Sequence, residues 1–220
     1  MTKVIVMLSG NGTTLQSIID RCILTKVVGV ISDKKDAYGL TRARQSNIFN
    51  SVYVPYNNRE QHAKIIIKYI DTIIKREGPI QFIVLAGYMR ILPASFIKYY
   101  NDKGIHILNI HPSLLPKYKG LHTYKQVLDA EDILHGCTIH FVTPELDSGP
   151  IIYQHSFFIE SEDTEESLEQ KTRHIEQMCY PIVLDLLNAN RLSVPFNMTH
   201  IGNMNKYLYT GKGKQMYETK

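Results

Sequence analysis

Lys3-Val4-Ile5-Val6-Met7-Leu8-Ser9-Gly10-Asn11-Gly12-Thr13-Thr14-Leu15 is the stretch that decides the fold class of this chain. Its first seven residues are a continuous apolar run closed by a turn signal, the pattern of a strand buried on both faces. Gly10-Asn11-Gly12 then turns the chain. Leu15, Ile18, Ile19 and Cys22 recur at helical spacing, which predicts a helix opening at Thr13. A strand that passes through a glycine turn into a helix is an α/β unit that can hold an anion. The glycines permit close backbone approach, and the helix N-terminus offers unpaired N–H groups and a favourable dipole. The Walker pattern for nucleoside triphosphates is absent. A dinucleotide fingerprint is half present in Gly10, Gly12 and Asp33, but Leu15 stands where its third glycine would be. A phosphate monoester on Gly12, Thr13 and Thr14 suits the stretch better. A tight turn capped by threonine explains the same residues equally well.

Strands and helices alternate from there. Val27 to Ile31 predicts a strand, Asp36 to Gln45 a helix, and Ser51 to Val54 a short strand ended by Pro55. Ile66, Ile70, Ile73 and Ile74 mark a long helix from about Arg59, stopped at Gly78-Pro79. Gln81 to Ala86 is the next strand, followed by the loop Gly87-Tyr88-Met89-Arg90-Ile91-Leu92-Pro93. This order implies right-handed βαβ units and a parallel sheet, whose ligands bind beyond the carboxyl ends of the strands. Ile105 to Ile110 reads as a further strand, and Pro112 and Pro116 stiffen the loop after it. The glycine turn, the Gly87–Leu92 loop and His111 are therefore expected on one rim. Period-2 alternation aims Asn109 and His111 to the same side of the chain. An amide donor and a titratable imidazole together suit an oxygen that becomes negative in a tetrahedral intermediate. A capped structural histidine at a strand end is the commoner meaning of Asn-x-His alone.

Downstream, a helix is predicted from about Tyr124 to Glu131 and a strand over Gly136 to Val142. The turn-rich loop Thr143-Pro144-Glu145-Leu146-Asp147-Ser148-Gly149-Pro150 follows. Ile151 to Ile159 is expected to run antiparallel to its neighbour because the connection is short. Asp163 and Glu166 predict a capping box for a last helix. Its buried stripe is Leu168, Thr172, Ile175, Cys179, Ile182 and Leu186, with a kink near Pro181. Arg173 and Glu176, three apart on another face, read as a solvated ion pair.

Composition narrows the function classes. The 220 residues, 44% hydrophobic and 21% charged, suit one sizeable α/β domain rather than two. No apolar run approaches the ~18 residues that span a bilayer, so no membrane role is expected. Cys22, Cys137 and Cys179 are scattered without disulfide or metal spacing, which fits a reducing cytoplasm. The net charge of +4 sits wholly in residues 191–220, where Arg191, Lys206, Lys212, Lys214 and Lys220 face only Glu218. The remainder is formally neutral, against a nucleic-acid partner. His111, His122, His135 and His140 form no compact ligand pair, so no metal is expected.

Four stretches together resemble the folate-dependent formyltransferases: Ser9 to Gln16, Ala86 to Leu92, Asn109-Ile110-His111-Pro112-Ser113-Leu114-Leu115-Pro116, and Leu146-Asp147-Ser148-Gly149-Pro150. The likeness covers roughly 1–190, with the motifs in the family's order. Three branches share this core. Gly120-Leu121-His122 resembles the phosphoribosylglycinamide formyltransferases, whereas methionyl-tRNA formyltransferases carry a C-terminal nucleic-acid-binding domain and formyltetrahydrofolate hydrolases usually a regulatory domain in front. The resemblance implies a three-layer, Rossmann-like α/β fold: a mostly parallel central sheet with an antiparallel C-terminal part and helices on both faces. It implies one domain over 1–195, with 196–220 a basic extension of no assigned role, in a cytoplasmic monomer or homodimer.

It also implies a reaction. The donor would be 10-formyltetrahydrofolate, its pteridine near Met89, Arg90, Ile91 and Leu92 and the segment carrying His140 and Val142, its glutamate tail at Arg59. The acceptor would be glycinamide ribonucleotide, its phosphate on Gly12, Thr13 and Thr14 and its amine near Glu176. Arg173 stands where relatives often have lysine or a neutral residue, as a further substrate contact. Asn109 and protonated His111 would stabilise the tetrahedral oxyanion. Asp147 would favour the imidazolium and relay the proton. The alternatives are hydrolysis of formyltetrahydrofolate, and a catalytically silent module that binds folate or phosphate. A turn carboxylate bonding its own backbone is the structural alternative for Asp147.

Overall fold

In the computed structural model, residues 1–192, 209–210 and 214–215 are described. Residues 193–208, 211–213 and 216–220 carry most of the expected basic extension and lie outside the described residues. The strands form a seven-stranded sheet, and the chain divides into two compact units, 1–109 and 110–220.

The first unit is built on β1 (Thr2–Leu8), whose residues Val4 to Leu8 have no solvent exposure. Such an all-apolar strand has to lie inside a sheet, and β1 has parallel neighbours on both sides. These are β2 (Thr25–Ser32) and β4 (Phe82–Leu85). β2 pairs in turn with β3 (Ser51–Tyr53), and β4 with β5 (His106–His111). The order β3-β2-β1-β4-β5 is the parallel arrangement expected from the alternation of elements. The helices are α1 (Thr13–Arg21), α2 (Tyr38–Gln45), α3 (Arg59–Glu77) and α4 (Ala94–Asn101). α3 opens on Asn58, whose side chain accepts from the Gln61 amide, and ends at Gly78. α4 lies in a stretch to which the sequence pattern assigned no element. Its Phe96, Ile97 and Tyr100 are buried, but two turns rich in β-branched and aromatic residues carry little helical signal.

The second unit contains α5 (Thr123–Asp129), β6 (Leu134–Phe141), β7 (Ile151–Phe158) and α6 (Glu165–Asn188). β6 and β7 pair antiparallel, as their short connection requires. Two short strands, β8 (Tyr209–Thr210) and β9 (Lys214–Gln215), form an antiparallel pair. The expected cap of α6 is off by one residue. Thr164 is the N-cap and closes a capping box with Ser167, while Asp163 accepts from Ser167 Oγ and pairs with Lys171. A hydroxyl at the third helical position does what the glutamate was expected to do. The buried stripe holds through Cys179 and then departs from expectation: Tyr180, Val183, Leu184 and Leu187 are buried and Ile182 is exposed. Pro181 lies at the crossover, with no N–H to continue the ladder.

Candidate active site

In the first unit two parallel strands bring two loops together. Ser9 follows β1 and the 87–92 loop follows β4, and the Ser9 amide donates to the Gly87 carbonyl at 3.0 Å. Ser9 Oγ donates to Asp33 at 2.5 Å and accepts from the Met89 amide at 2.8 Å. Arg90 Nε meets the other Asp33 oxygen at 2.6 Å, and its guanidinium lies over the Tyr56 ring. Asp33, the half-fingerprint carboxylate, is thus fully buried and engaged by a serine and an arginine, which takes it away from any ribose. The loop is also held through Tyr88, whose hydroxyl is 2.5 Å from His62 Nε2. Burial lowers the His62 pKa, partly offset by its bond to the Pro55 carbonyl. Met89 and Ile91 stand exposed on this frame and Leu92 is buried, a fixed backbone with apolar side chains facing out. Arg59 is exposed in the first turn of α3.

Gly12 is the N-cap of α1 in the left-handed region, at φ 69°. A Cβ there would lie 2.6 Å from the Gly39 Cα, so conformation and close approach both demand glycine. Thr13 and Thr14 follow as the first helical residues, and Gly12 makes no side-chain cap. The first-turn amides therefore face outward for a ligand, with no acidic residue near them. Asn109 lies on β5 opposite Leu85 of β4, at the carboxyl end of the parallel strands.

In the second unit the pairing that sequence could only suggest is present. His111 is the last residue of β5 and is buried; its Nδ1 lies 3.4 Å from Asp147 Oδ2, and both side chains are more than 90% buried. Asp147 also accepts from the Gly120 amide at 2.9 Å, and its Oδ1 lies 3.7 Å from His140 Nε2. Asp147 adopts a positive φ, and Gly149 beyond it is packed so tightly that a Cβ would overlap the Phe141 carbonyl. The 143–150 turn thereby delivers a carboxylate to two imidazoles. His111 Nε2 is 2.8 Å from the Tyr118 carbonyl, so that nitrogen carries a proton and donates. Burial lowers the His140 pKa to about 4, keeping the ring neutral. Its Nδ1 then donates to the Phe141 carbonyl and Nε2 presents a lone pair. Val142 is partly exposed next to it.

On α6, Arg173 pairs with Glu169, not with Glu176 as the three-residue spacing suggested. One turn back is the better-aligned partner. Glu176 turns inward instead, and burial pushes its carboxyl up to about 7, against the partly opposing charge of Arg173. Several site features had no sequence signal: the Tyr118 carbonyl, the Gly120 amide and the His62–Tyr88 bond. Ser9 could have been found, because a residue at the end of one parallel strand must meet the loop after its neighbour. Among the described residues no group of three or more His, Cys, Asp or Glu is arranged to hold a metal, and no helix is long and apolar enough to cross a membrane.

Residues 2–184 match the family description "Formyl transferase". The chain is 42% identical over 207 residues to a phosphoribosylglycinamide formyltransferase of Haemophilus influenzae, covering 91% of this chain and 94% of that one. It is 40% identical to the enzyme of the same description from Escherichia coli, over 89% and 91%. The crystal structure of glycinamide ribonucleotide transformylase 1 from Symbiobacterium toebii superposes with a TM-score of 0.80 at 34% identity, covering 89% of this chain and 92% of that one.

Proposed function

The chain belongs to the formyl transferase family, and from that membership we propose that it moves the formyl group of 10-formyltetrahydrofolate to the amine of glycinamide ribonucleotide, in purine biosynthesis. It is a one-carbon group transferase and takes a folate-derived formyl donor. The observation that carries the proposal beyond the family likeness is the buried His111–Asp147 contact, which puts a carboxylate beside an imidazole at a strand end.

In the proposed reaction the acceptor amine adds to the formyl carbon and the formyl oxygen becomes an alkoxide. Asn109 and His111, the latter as imidazolium with Asp147 as its counter-charge, donate to that oxygen. The alkoxide takes the place of the Tyr118 carbonyl at His111 Nε2. Asp147 accepts, through water, the proton leaving the amine, and that proton goes to the departing folate nitrogen as the carbon–nitrogen bond to the carrier breaks. Nothing is oxidised, and the carrier leaves as tetrahydrofolate.

Gly12, Thr13 and Thr14 hold the acceptor's phosphate, a role supported by outward-facing first-turn amides. Glu176 receives its amine, with Arg173 a second contact. Met89, Arg90, Ile91 and Leu92 hold the pteridine, supported by the frame that Asp33 and Ser9 give that loop. His140 and Val142 complete the donor site, and Arg59 meets the glutamate tail. Residues 1–195 act as one formyltransferase domain, in the cytoplasm. An assay offering 10-formyltetrahydrofolate with glycinamide ribonucleotide, with initiator methionyl-tRNA, or with water alone tests the acceptor. Formylated glycinamide ribonucleotide is the expected product, and formate released at full rate without an acceptor would overturn the assignment.

A further inference from the structure

Two of the three cysteines meet. Cys137 lies in the middle of β6, paired with His155 of β7, and has no exposed surface. Cys179 lies on the buried face of α6, 5% exposed. The two thiols are hydrogen-bonded to each other, and the Tyr153 hydroxyl bonds the Cys179 sulfur as well. So a helix and a strand that are 42 residues apart in sequence meet through a pair of sulfurs. Sequence spacing hid them, and the proposed reaction uses neither.

The two are not equivalent. Two donors converge on Cys179, and they lower its pKa to about 7, with burial working against them. Cys137 gives its proton toward Cys179, and that bond together with burial raises its own thiol. One sulfur is thus prepared as a thiolate and the other as the thiol that resolves it, the division of labour of a dithiol. Cys179 is also three residues beyond Glu176 on the same helix, and each of the two thiols feels the Glu176 charge.

We propose that Cys137 and Cys179 form a reversible disulfide site for peroxide-class oxidants, and that closing it weakens acceptor binding at Glu176. The Cys179 thiolate attacks one peroxide oxygen, the O–O bond breaks, and water leaves, giving a sulfenic acid. Cys137 sulfur then attacks the Cys179 sulfur and the hydroxyl departs as water, so two thiols and one hydrogen peroxide give one disulfide and two waters. A sulfur–sulfur bond is ~2.05 Å long, well inside thiol hydrogen-bond distance, so closure draws α6 toward β6 one turn from Glu176. The effect on the acceptor rests on the proposed role of Glu176; the disulfide does not.

The test exposes the native protein to hydrogen peroxide, blocks free thiols, and reads peptide masses alongside steady-state kinetics. The expected result is a cross-linked Cys137–Cys179 peptide pair 2 Da lighter than its reduced parts. With it comes an acceptor KM raised about tenfold, reversed by dithiothreitol. Cys137→Ser is expected to stop at a dimedone-reactive sulfenic acid on Cys179, and Cys22→Ser to behave as the parent. Failure to cross-link under conditions that oxidise Cys22, or oxidation of Cys179 straight to sulfinic acid with Cys137 intact, overturns the site. A cross-link with unchanged acceptor KM overturns its coupling to Glu176. A reduced protein without acceptor-dependent turnover refutes the formyl-transfer assignment, and the masses still judge the disulfide.

Discussion

At single positions, chemistry and conformation can be separated. Gly12 needs its φ of 69° and its clearance from Gly39, whereas a Cβ on Gly10 meets nothing within 4 Å. Gly12→Ala is therefore expected to cost roughly 1–3 kcal/mol in urea unfolding, and Gly10→Ala no more than about 0.5 kcal/mol. Both positions were legible as glycines of a turn, but only the approach of α2 tells them apart. Glu176 makes a pH prediction. Its carboxyl is raised to about 7, so it is charged only above that range. If it binds the acceptor amine, acceptor KM should fall as pH rises through about 7, and Glu176→Gln should flatten the profile. An unchanged profile in the variant would remove Glu176 from the acceptor site. The inward turn of this carboxylate could not be read from the sequence, because i,i+3 spacing to Arg173 suggested a partner that Arg173 instead finds at Glu169.

At the scale of elements, strands and long helices were legible because buried parallel strands are unbroken apolar runs and α3 repeats isoleucine over five turns. Local chemistry at the ends was less so. For α6 the sequence offers two acid–polar pairs one residue apart, and only coordinates choose between them. The cap formed by Thr164 and Ser167 predicts that Thr164→Ala costs about 1 kcal/mol in thermal or urea unfolding. Glu166→Ala should stay within about 0.5 kcal/mol. The reverse order would restore the cap first expected. α4 was missed for a physical reason: Phe96, Ile97, Tyr99 and Tyr100 have strand-like propensities, and packing of its buried face overrides them.

For the whole molecule, two buried histidines set the response to acid. His135, whose ring nitrogens both lack hydrogen-bond partners, lies edge-on to Tyr124 and Phe157, and burial lowers its pKa to about 4. His140 is lowered similarly. The unfolded chain binds these protons near pH 6.5 and the folded one near 4. Stability from neutral burial is thus complete above 6.5 and lost as pH falls toward 4, by roughly 3 kcal/mol for each. Glu176 acts oppositely: the stability from its protonation is complete below 4.5 and lost as pH rises through 7. Calorimetry from pH 7 to 4 should show a falling Tm that His135→Phe makes shallower, and an unchanged slope would contradict this assignment. The order of motifs made the family legible over most of the chain, while the cluster of His111, His140, Asp147 and Gly120 depended on a turn whose path no local pattern encodes. The most direct test of the account is a double-mutant cycle on kcat with His111→Ala, Asp147→Asn and the pair together. Each single change should lower kcat by ~10²–10³, and the double variant should lose little more than the worse single, because the two side chains act as one unit. Losses that multiply in full, or a His111→Ala enzyme that keeps its turnover, would contradict it.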